Sequence, residues 1–293
     1  MNRSSIWGAI LLGCAVLTNV AVTQAEESIC SLPSTIFCDD FERATLERWE
    51  DGYNPSLHSL RTDPASPLPG NQALRATYPP GADGGWLTRW FMPGYDHVYG
   101  RLYVKFENGW TCGANCTKIF ALYGNRIDNQ WSAFGKAGIR PNGKDFFYSA
   151  LVTTNTFRKP DPGELIFYSY FPEMTQSGDG NYWGNHFYQA DPREAMQSGR
   201  WYCLELELQA NTPGQHDGYQ RMWIDGTPKG EVQGMRWRDT TDLRINAFQL
   251  SFSGPVYTTQ YLWIDQVVVS QTRVGCLVGD SGAPAPPTGL KTN

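Results

Sequence analysis

The sequence predicts an all-β protein built as an antiparallel two-sheet sandwich or jelly roll. Two observations predict this class: alternating or β-branched runs recur along the whole chain, and 30 glycines and 19 prolines supply turns between them. Only the segments 43–51 and 191–197 resemble short helices. Many strands with so few helices are typical of a sandwich or jelly roll.

The strand-like runs follow one another at short intervals, separated by turn signals such as Pro79-Pro80-Gly81, Pro93-Gly94 and Asp225-Gly226. The clearest runs are 35–41, 73–78, 85–91, 99–106, 117–123, 146–151, 164–170, 201–209, 218–224, 244–252 and 260–270.

Several of these runs carry polar, charged or aromatic side chains on the face opposite their apolar stripe. Side chains on these faces include Arg101, Tyr103, Lys105, Glu205, Glu207, Arg221, Trp223 and Asn246. A solvated outer sheet would explain them. A concave groove would also explain them, because aromatic rings cover the apolar faces of sugars while Arg and Asn bind hydroxyls and carboxylates.

The first 25 residues predict a secretory signal peptide, with Arg3 before an apolar stretch and small residues before Glu26. A lipoprotein anchored at Cys14 is the alternative. We expect one domain over 26–278 and a Pro-rich tail over 279–293, with no membrane-spanning segment in the mature chain. The protein is therefore expected to be secreted or periplasmic. We also expect it to be a monomer. The net charge of −5 argues against a nucleic-acid partner.

Six cysteines remain after the signal peptide, and an even number in an exported chain predicts disulfides. Cys112 and Cys116 share a short loop, so we pair them. The pairings favoured for the other four are Cys30–Cys38 and Cys203–Cys276. The alternative use of Cys112 and Cys116 is as half of a zinc site.

Five segments resemble a known group of proteins. They are NTPGQHDG at 211–218 followed by RMWIDG at 221–226, FCDDFE at 37–42, WYCLE at 201–205 and WIDQVVVS at 263–270. Together they resemble the secreted jelly-roll group that includes glucuronan lyases and related alginate lyases, with a concanavalin-like sandwich. The resemblance spans about residues 37–276.

The resemblance implies a lyase that cleaves an acidic, uronic-acid polysaccharide by β-elimination without an organic cofactor. Such an enzyme neutralises the substrate carboxylate, removes the C5 proton and protonates the leaving oxygen. We expect Arg101 or Arg140 to neutralise the carboxylate. Tyr170 is expected as base or acid, with Lys118 as support. The catalytic candidates are Arg101, Tyr103, Lys118, Arg140, Tyr168 and Tyr170.

The same groove would contain sugar-binding residues beside the catalytic ones. The candidates are Lys105, Tyr148, Trp183, His186, Arg221, Trp223 and Asn246. A non-catalytic carbohydrate-binding protein would have such a groove too. A retaining glycoside hydrolase is a further alternative, since Glu205 and Glu207 point to one face of a strand.

A structural calcium ion is also expected. The first and last strands pair in this fold, which brings Asp40 and Glu42 towards Asp265, and carboxylate oxygens from two strands suit Ca²⁺. Glu42 and Asp265 are the favoured ligands.

Overall fold

A computed structural model describes residues 28–70, 72–113, 116–155 and 161–277. The predicted signal peptide, the anchor cysteine Cys14 and the Pro-rich tail lie outside these residues. Within them, no helix has both the length and the apolar character needed to cross a membrane.

The described residues form a 3-10 helix, Ser28–Ser31, and fifteen β-strands. The strands are β1 (Thr35–Asp39), β2 (His58–Arg61), β3 (Ala73–Tyr78), β4 (Trp86–Tyr95), β5 (His97–Phe106), β6 (Lys118–Arg126), β7 (Phe146–Thr154), β8 (Gly163–Tyr170), β9 (Asn185–Phe187), β10 (Ala195–Met196), β11 (Trp201–Gln209), β12 (Gly218–Ile224), β13 (Thr227–Met235), β14 (Leu243–Ser251) and β15 (Gln260–Ser270).

These strands make two antiparallel sheets, as the sequence predicts. The eight-stranded sheet has the order β13-β12-β11-β5-β15-β3-β2, with β1 also paired to β15. The seven-stranded sheet has the order β10-β8-β7-β6-β14-β4, with β9 also paired to β8. Neighbours in both orders are often distant in sequence, which is the crossing pattern of a jelly roll.

The core lies between the two sheets and consists of the apolar stripes of facing strands. Leu102 and Val104 of β5 are fully buried, as are Phe120 of β6 and Phe248 of β14. A Cβ at Gly100 would lie 2.9 Å from the Phe248 ring, so the two sheets approach each other where the residue is smallest. The alternation predicted for β5 is therefore confirmed.

Three disulfides join the six cysteines in the predicted pairs, Cys30–Cys38, Cys112–Cys116 and Cys203–Cys276. Cys112, Cys116 and Asp161 lie close enough together for metal binding. The Cys112–Cys116 bond, however, removes the two thiolates that a zinc site would need.

Several sequence expectations about individual elements are wrong. The segments 43–51 and 191–197 contain no helix, and the second contributes β10 instead. Pro93-Gly94 is not a turn between strands but lies within β4, close to an irregularity in its pairing with β14. The sequence does not predict the exposed edge strand β13, because its residues, TPKGEVQGM, are mostly polar or glycine and show no apolar alternation.

Candidate active site

A row of tyrosines crosses the outer face of the seven-stranded sheet. Tyr148 of β7 pairs in register with Tyr170 of β8 and Tyr123 of β6. The rings of Tyr123 and Tyr148 are 4.6 Å apart, and those of Tyr148 and Tyr170 are 5.9 Å apart. Since Phe147 and Leu122 point into the core, strand alternation directs the tyrosines to the opposite face.

Tyr168 lies two residues before Tyr170 on the same face. The two hydroxyls share a hydrogen bond of 3.2 Å, and the backbone N–H of Gly138 donates to the Tyr170 hydroxyl at 3.5 Å. Burial, together with the hydrogen bond to Tyr170, raises the pKa of Tyr168 above its ordinary value. Tyr168 therefore stays protonated at neutral pH and can carry a proton to or from Tyr170.

Lys118 begins β6 and extends its amine over these rings. Its Nζ atom lies 4.9 Å from the centre of the Tyr168 ring and 5.7 Å from that of Tyr148. Burial lowers the pKa of the Lys118 amine, and the charge of Asp83 offsets part of this effect. A desolvated lysine of this kind is neutral more often than a surface lysine and can accept a proton.

A groove of about 260 Å³ is bordered by Lys118 and by three of the tyrosines, Tyr123, Tyr148 and Tyr170. The loop between β6 and β7 forms one wall, where the Phe134 ring stacks on Tyr123 at 5.5 Å. The polar side chains at the floor and rim include Gln249, which accepts a hydrogen bond of 2.8 Å from the Tyr123 hydroxyl, and Lys136. Trp86 of the edge strand β4 also lines the groove.

Tyr123, Gln249, Trp86 and Lys136 were not among the sequence candidates. For Tyr123, the signal was present, because it ends the alternating run 117–123 on the groove face. The other three come from β14, β4 and a loop, and only the sheet order brings them to the groove.

Four further sequence candidates lie in or beside this groove. Tyr148 is part of the tyrosine row described above. His186 of β9 pairs with Tyr168, with its ring 5.6 Å from the tyrosine ring, and burial lowers the pKa of His186. Arg140 is exposed and lies over the Tyr182 ring at 5.4 Å. Trp183 is exposed near Gly138, and its Nε1 atom donates to Asp179.

The expectation that Arg101, Tyr103 and Lys105 share this groove is corrected by the structure. All three belong to β5, which lies in the other sheet between β11 and β15, and they point to that sheet's outer face. Arg101 is buried and donates to the backbone oxygen of Gln266. Alternation shows which residues share a face of a strand, but it does not show to which sheet the strand belongs.

The other two β5 side chains, Tyr103 and Lys105, also bond to groups within the protein. The Tyr103 hydroxyl accepts a hydrogen bond of 2.7 Å from the backbone of Leu277, and the Lys105 amine forms an ion pair with Asp63. The segment before Leu277 covers this part of the eight-stranded sheet. Neither side chain reaches the tyrosine groove.

Arg221, Trp223 and Asn246 are also placed outside the groove. Arg221 pairs with Glu231 on the eight-stranded sheet, and Trp223 is buried beneath the Arg273 guanidinium at 4.6 Å. Asn246 does lie in β14, but its amide is buried and bonds to the backbone oxygens of Asn125 and Pro93. The irregularity in β14 directs this amide away from solvent.

Glu205 and Glu207 are both buried on the eight-stranded sheet. Burial raises the pKa of Glu205, although backbone N–H groups of Val274 and Gly275 donate to it. Burial also acts on Glu207, but hydrogen bonds from neighbours such as His97 outweigh it and lower the pKa of Glu207. Both carboxylates thus serve internal hydrogen bonds, which disfavours a glycosidase pair.

The predicted calcium ligands lie in β15 and directly after β1, and these two strands pair with each other. Asp265 is buried in β15, and burial raises its pKa well above the ordinary value. The charges of Glu42 and Asp40 raise that pKa further, while Arg101 lowers it. Glu42 and Asp40 therefore lie near enough to Asp265 for their charges to act on it.

The chain matches no family model and no curated protein. Among solved structures it is similar to the PL-14 alginate lyase from Aplysia kurodai, at a TM-score of 0.63 and 18% identity over 80% of this chain and 98% of that one. It is also similar to alginate lyase vAL-1 from a Chlorella virus (TM-score 0.59, 16% identity, 81% and 100% covered).

A third similar structure is the endo-β-1,4-glucuronan lyase of the fungus Trichoderma reesei, at a TM-score of 0.52 and 16% identity over 81% of this chain and 96% of that one. At these identities the likeness establishes the fold, which is that of the jelly-roll polysaccharide lyases. The resemblance seen in the sequence motifs is confirmed at this level.

Proposed function

We propose that this protein is a secreted polysaccharide lyase that cleaves a uronic-acid polymer by β-elimination in the groove of the seven-stranded sheet. The observation that carries the proposal is the Lys118 amine, desolvated over the Tyr148 and Tyr168 rings, beside the hydroxyl pair of Tyr168 and Tyr170. An acceptor and a donor of protons therefore lie within one sugar-sized groove.

In the proposed reaction, the neutral Lys118 amine removes the proton from C5 of the uronate. The electron pair of that C–H bond forms the C4–C5 double bond, and the bond from C4 to the glycosidic oxygen breaks. The Tyr170 hydroxyl protonates the departing oxygen, with Tyr168 hydrogen-bonded behind it. The Tyr170 phenolate then regains a proton from solvent and the proton on Lys118 passes to solvent, which restores both groups to their starting states.

The substrate carboxylate needs a cation or hydrogen-bond donor, because its negative charge opposes formation of a carbanion at C5. Arg101 is buried in the other sheet, so we assign this role to Lys136 in the groove and Arg140 at its rim. The substrate class is supported by these cations and by the alginate and glucuronan lyases with the same fold.

Secretion is supported by the three disulfides, which persist in oxidising compartments. The N-terminal sequence supports it independently, with its charged start and apolar stretch. We propose that the mature protein acts as a monomer.

The test is to mix the purified protein with alginate, glucuronan and other uronate polymers and follow the ultraviolet absorbance of the unsaturated uronate. The proposal expects a rise with at least one polymer. Retained binding without any rise would favour the carbohydrate-binding alternative. New reducing ends without the unsaturated product would indicate hydrolysis and overturn the lyase proposal.

We further propose that Asp265, Glu42 and Asp40 hold a structural calcium ion. Their oxygen donors suit that ion, and the charges of Glu42 and Asp40 add to the burial that raises the pKa of Asp265. Phe41 and Gln266, next to these ligands, have φ values of 56° and 50°, a conformation that non-glycine residues adopt only where the surroundings enforce it. Bound calcium would supply part of that constraint.

A further inference from the structure

Two exposed indoles stand on opposite sides of the proposed active groove. Trp86 is 45% exposed and lies on the edge strand β4, whereas Trp183 is 42% exposed and precedes β9. Single exposed apolar side chains are common on protein surfaces, so the case for these two indoles rests on their places beside the groove and on how each ring is held.

Each indole is held by a carboxylate, so its orientation is fixed before any ligand binds. The Nε1 atom of Trp86 donates to Asp51 at 2.9 Å, and the Nε1 atom of Trp183 donates to Asp179 at 2.8 Å. A fixed ring loses little conformational entropy when a sugar stacks on it.

The backbone supports each ring from one side. A Cβ at Gly52 would lie 2.3 Å from the Trp86 Cδ1 atom, and Gly52 has a φ of 87° that suits glycine. A Cβ at Gly138 would lie 3.4 Å from the Trp183 Cη2 atom, and Gly138 also contacts the Tyr170 hydroxyl. Each indole therefore has one supported side and an exposed remainder.

The distance between the two sides exceeds the length of a disaccharide. Strand β4 is four positions from β8 in the sheet, which corresponds to about 19 Å. Lys118 of β6 lies between them, two positions or about 10 Å from β4. A sugar on either indole is thus separate from the one that reacts, so a short oligosaccharide can react without reaching either indole.

From these positions we propose that Trp86 and Trp183 are sugar-stacking platforms that make the groove bind the interior of a long uronate chain, so that cleavage is endo-acting. This inference rests on the proposed function for its substrate class. Pyranose rings stack their apolar C–H faces on indoles, while their carboxylates remain free for the cations of the groove.

The test compares Trp86→Ala, Trp183→Ala and the double variant with the wild type on a long uronate polymer and on its trisaccharide. We expect KM for the polymer to rise about tenfold in each single variant, with kcat and the trisaccharide rates unchanged. Trp86→Phe should retain part of the affinity. Leu32→Ala, which removes an exposed apolar side chain from the segment before β1, is the matched control.

Binding is measured separately by affinity electrophoresis in gels that contain the polymer, in a Lys118→Met background that does not turn it over. Retardation that is equal with and without both indoles would overturn the platforms while leaving the lyase proposal intact. A different outcome is possible, in which the wild type forms no unsaturated product but loss of both indoles reduces retardation. That outcome would support the stacking platforms and reject the lyase proposal.

The mode of cleavage is read from viscosity. Endo-action predicts a steep fall in polymer viscosity while few double bonds have formed. A slow fall with release of only one small product would contradict the inference, even if both indoles contribute to binding.

Discussion

Lys118 is the residue on which the chemistry depends, because burial gives its amine a lowered pKa beside two tyrosine rings. A charged amine in that position also reduces stability. Below the ordinary lysine pKa, the unfolded chain binds this proton more tightly than the folded one, so protonation favours unfolding.

We therefore predict that Lys118→Met abolishes activity without loss of stability. The rate should fall about 100- to 10,000-fold, and the free energy of unfolding at pH 7 should stay equal or rise. Initial rates and urea unfolding curves measure the two effects. A variant that is both inactive and unfolded would not support a role for Lys118 as base.

The lowered pKa of the Lys118 amine also determines how the activity of the wild type depends on pH. Because the neutral amine is the base, kcat/KM should rise with pH through a midpoint below the ordinary lysine pKa of about 10.4. In contrast, a rate that falls as pH rises over this range would mean that the charged amine is the active form.

Tyr170 and Tyr103 give a matched pair of tyrosines on opposite sheets. Tyr170→Phe removes the proposed proton donor, and kcat should fall about 100-fold or more. Tyr103→Phe removes a hydroxyl that bonds only within the protein in our assignment, so kcat should remain close to that of the wild type. The reverse result would restore the β5 side chains as the active site.

At the level of elements, alternation predicted the faces of β5 and β11 correctly, because each strand has one continuous apolar stripe. It did not predict that β5 and β6 belong to different sheets, although they are consecutive in sequence. Sheet membership depends on which distant strands pair, such as β11 and β15 with β5. For that reason the sequence candidates mixed two faces of the molecule.

The segment after β15 is fixed over the eight-stranded sheet by one disulfide and one buried carboxylate. Cys276 bonds to Cys203, and the Glu205 carboxylate accepts from the backbone of Val274 and Gly275. We predict that Cys203→Ala combined with Cys276→Ala lowers the free energy of unfolding by about 2–5 kcal/mol. Denaturant unfolding measures the loss, while activity of the folded fraction should persist because the groove lies on the other sheet.

At the scale of the whole molecule, the two sheets have different roles. The outer face of the eight-stranded sheet is occupied by internal pairs, such as Lys105 with Asp63 and Arg221 with Glu231. The seven-stranded sheet presents the tyrosines, Lys118 and the two indoles. The resemblance to jelly-roll lyases predicted the architecture, but the choice of sheet required the three-dimensional structure.

The proposed calcium ion joins the segment after the first strand to the last strand, so it belongs to this scale. We predict that a chelator lowers the melting temperature of the wild type and that added Ca²⁺ restores it. Asp265→Asn should remove the response, because it removes a ligand charge, and should be at least as stable as the chelated wild type. An unchanged melting temperature in the chelated wild type would argue against a bound cation.

The position of a bound chain tests the central assignment most directly. We would determine a crystal structure of the Lys118→Met variant with a uronate oligosaccharide of six sugars. We predict a chain across the seven-stranded sheet, with the C5 atom of one sugar facing residue 118 and the hydroxyls of Tyr168 and Tyr170 near the next glycosidic oxygen. An oligosaccharide bound on the eight-stranded sheet, over Arg221 and Trp223, would contradict it.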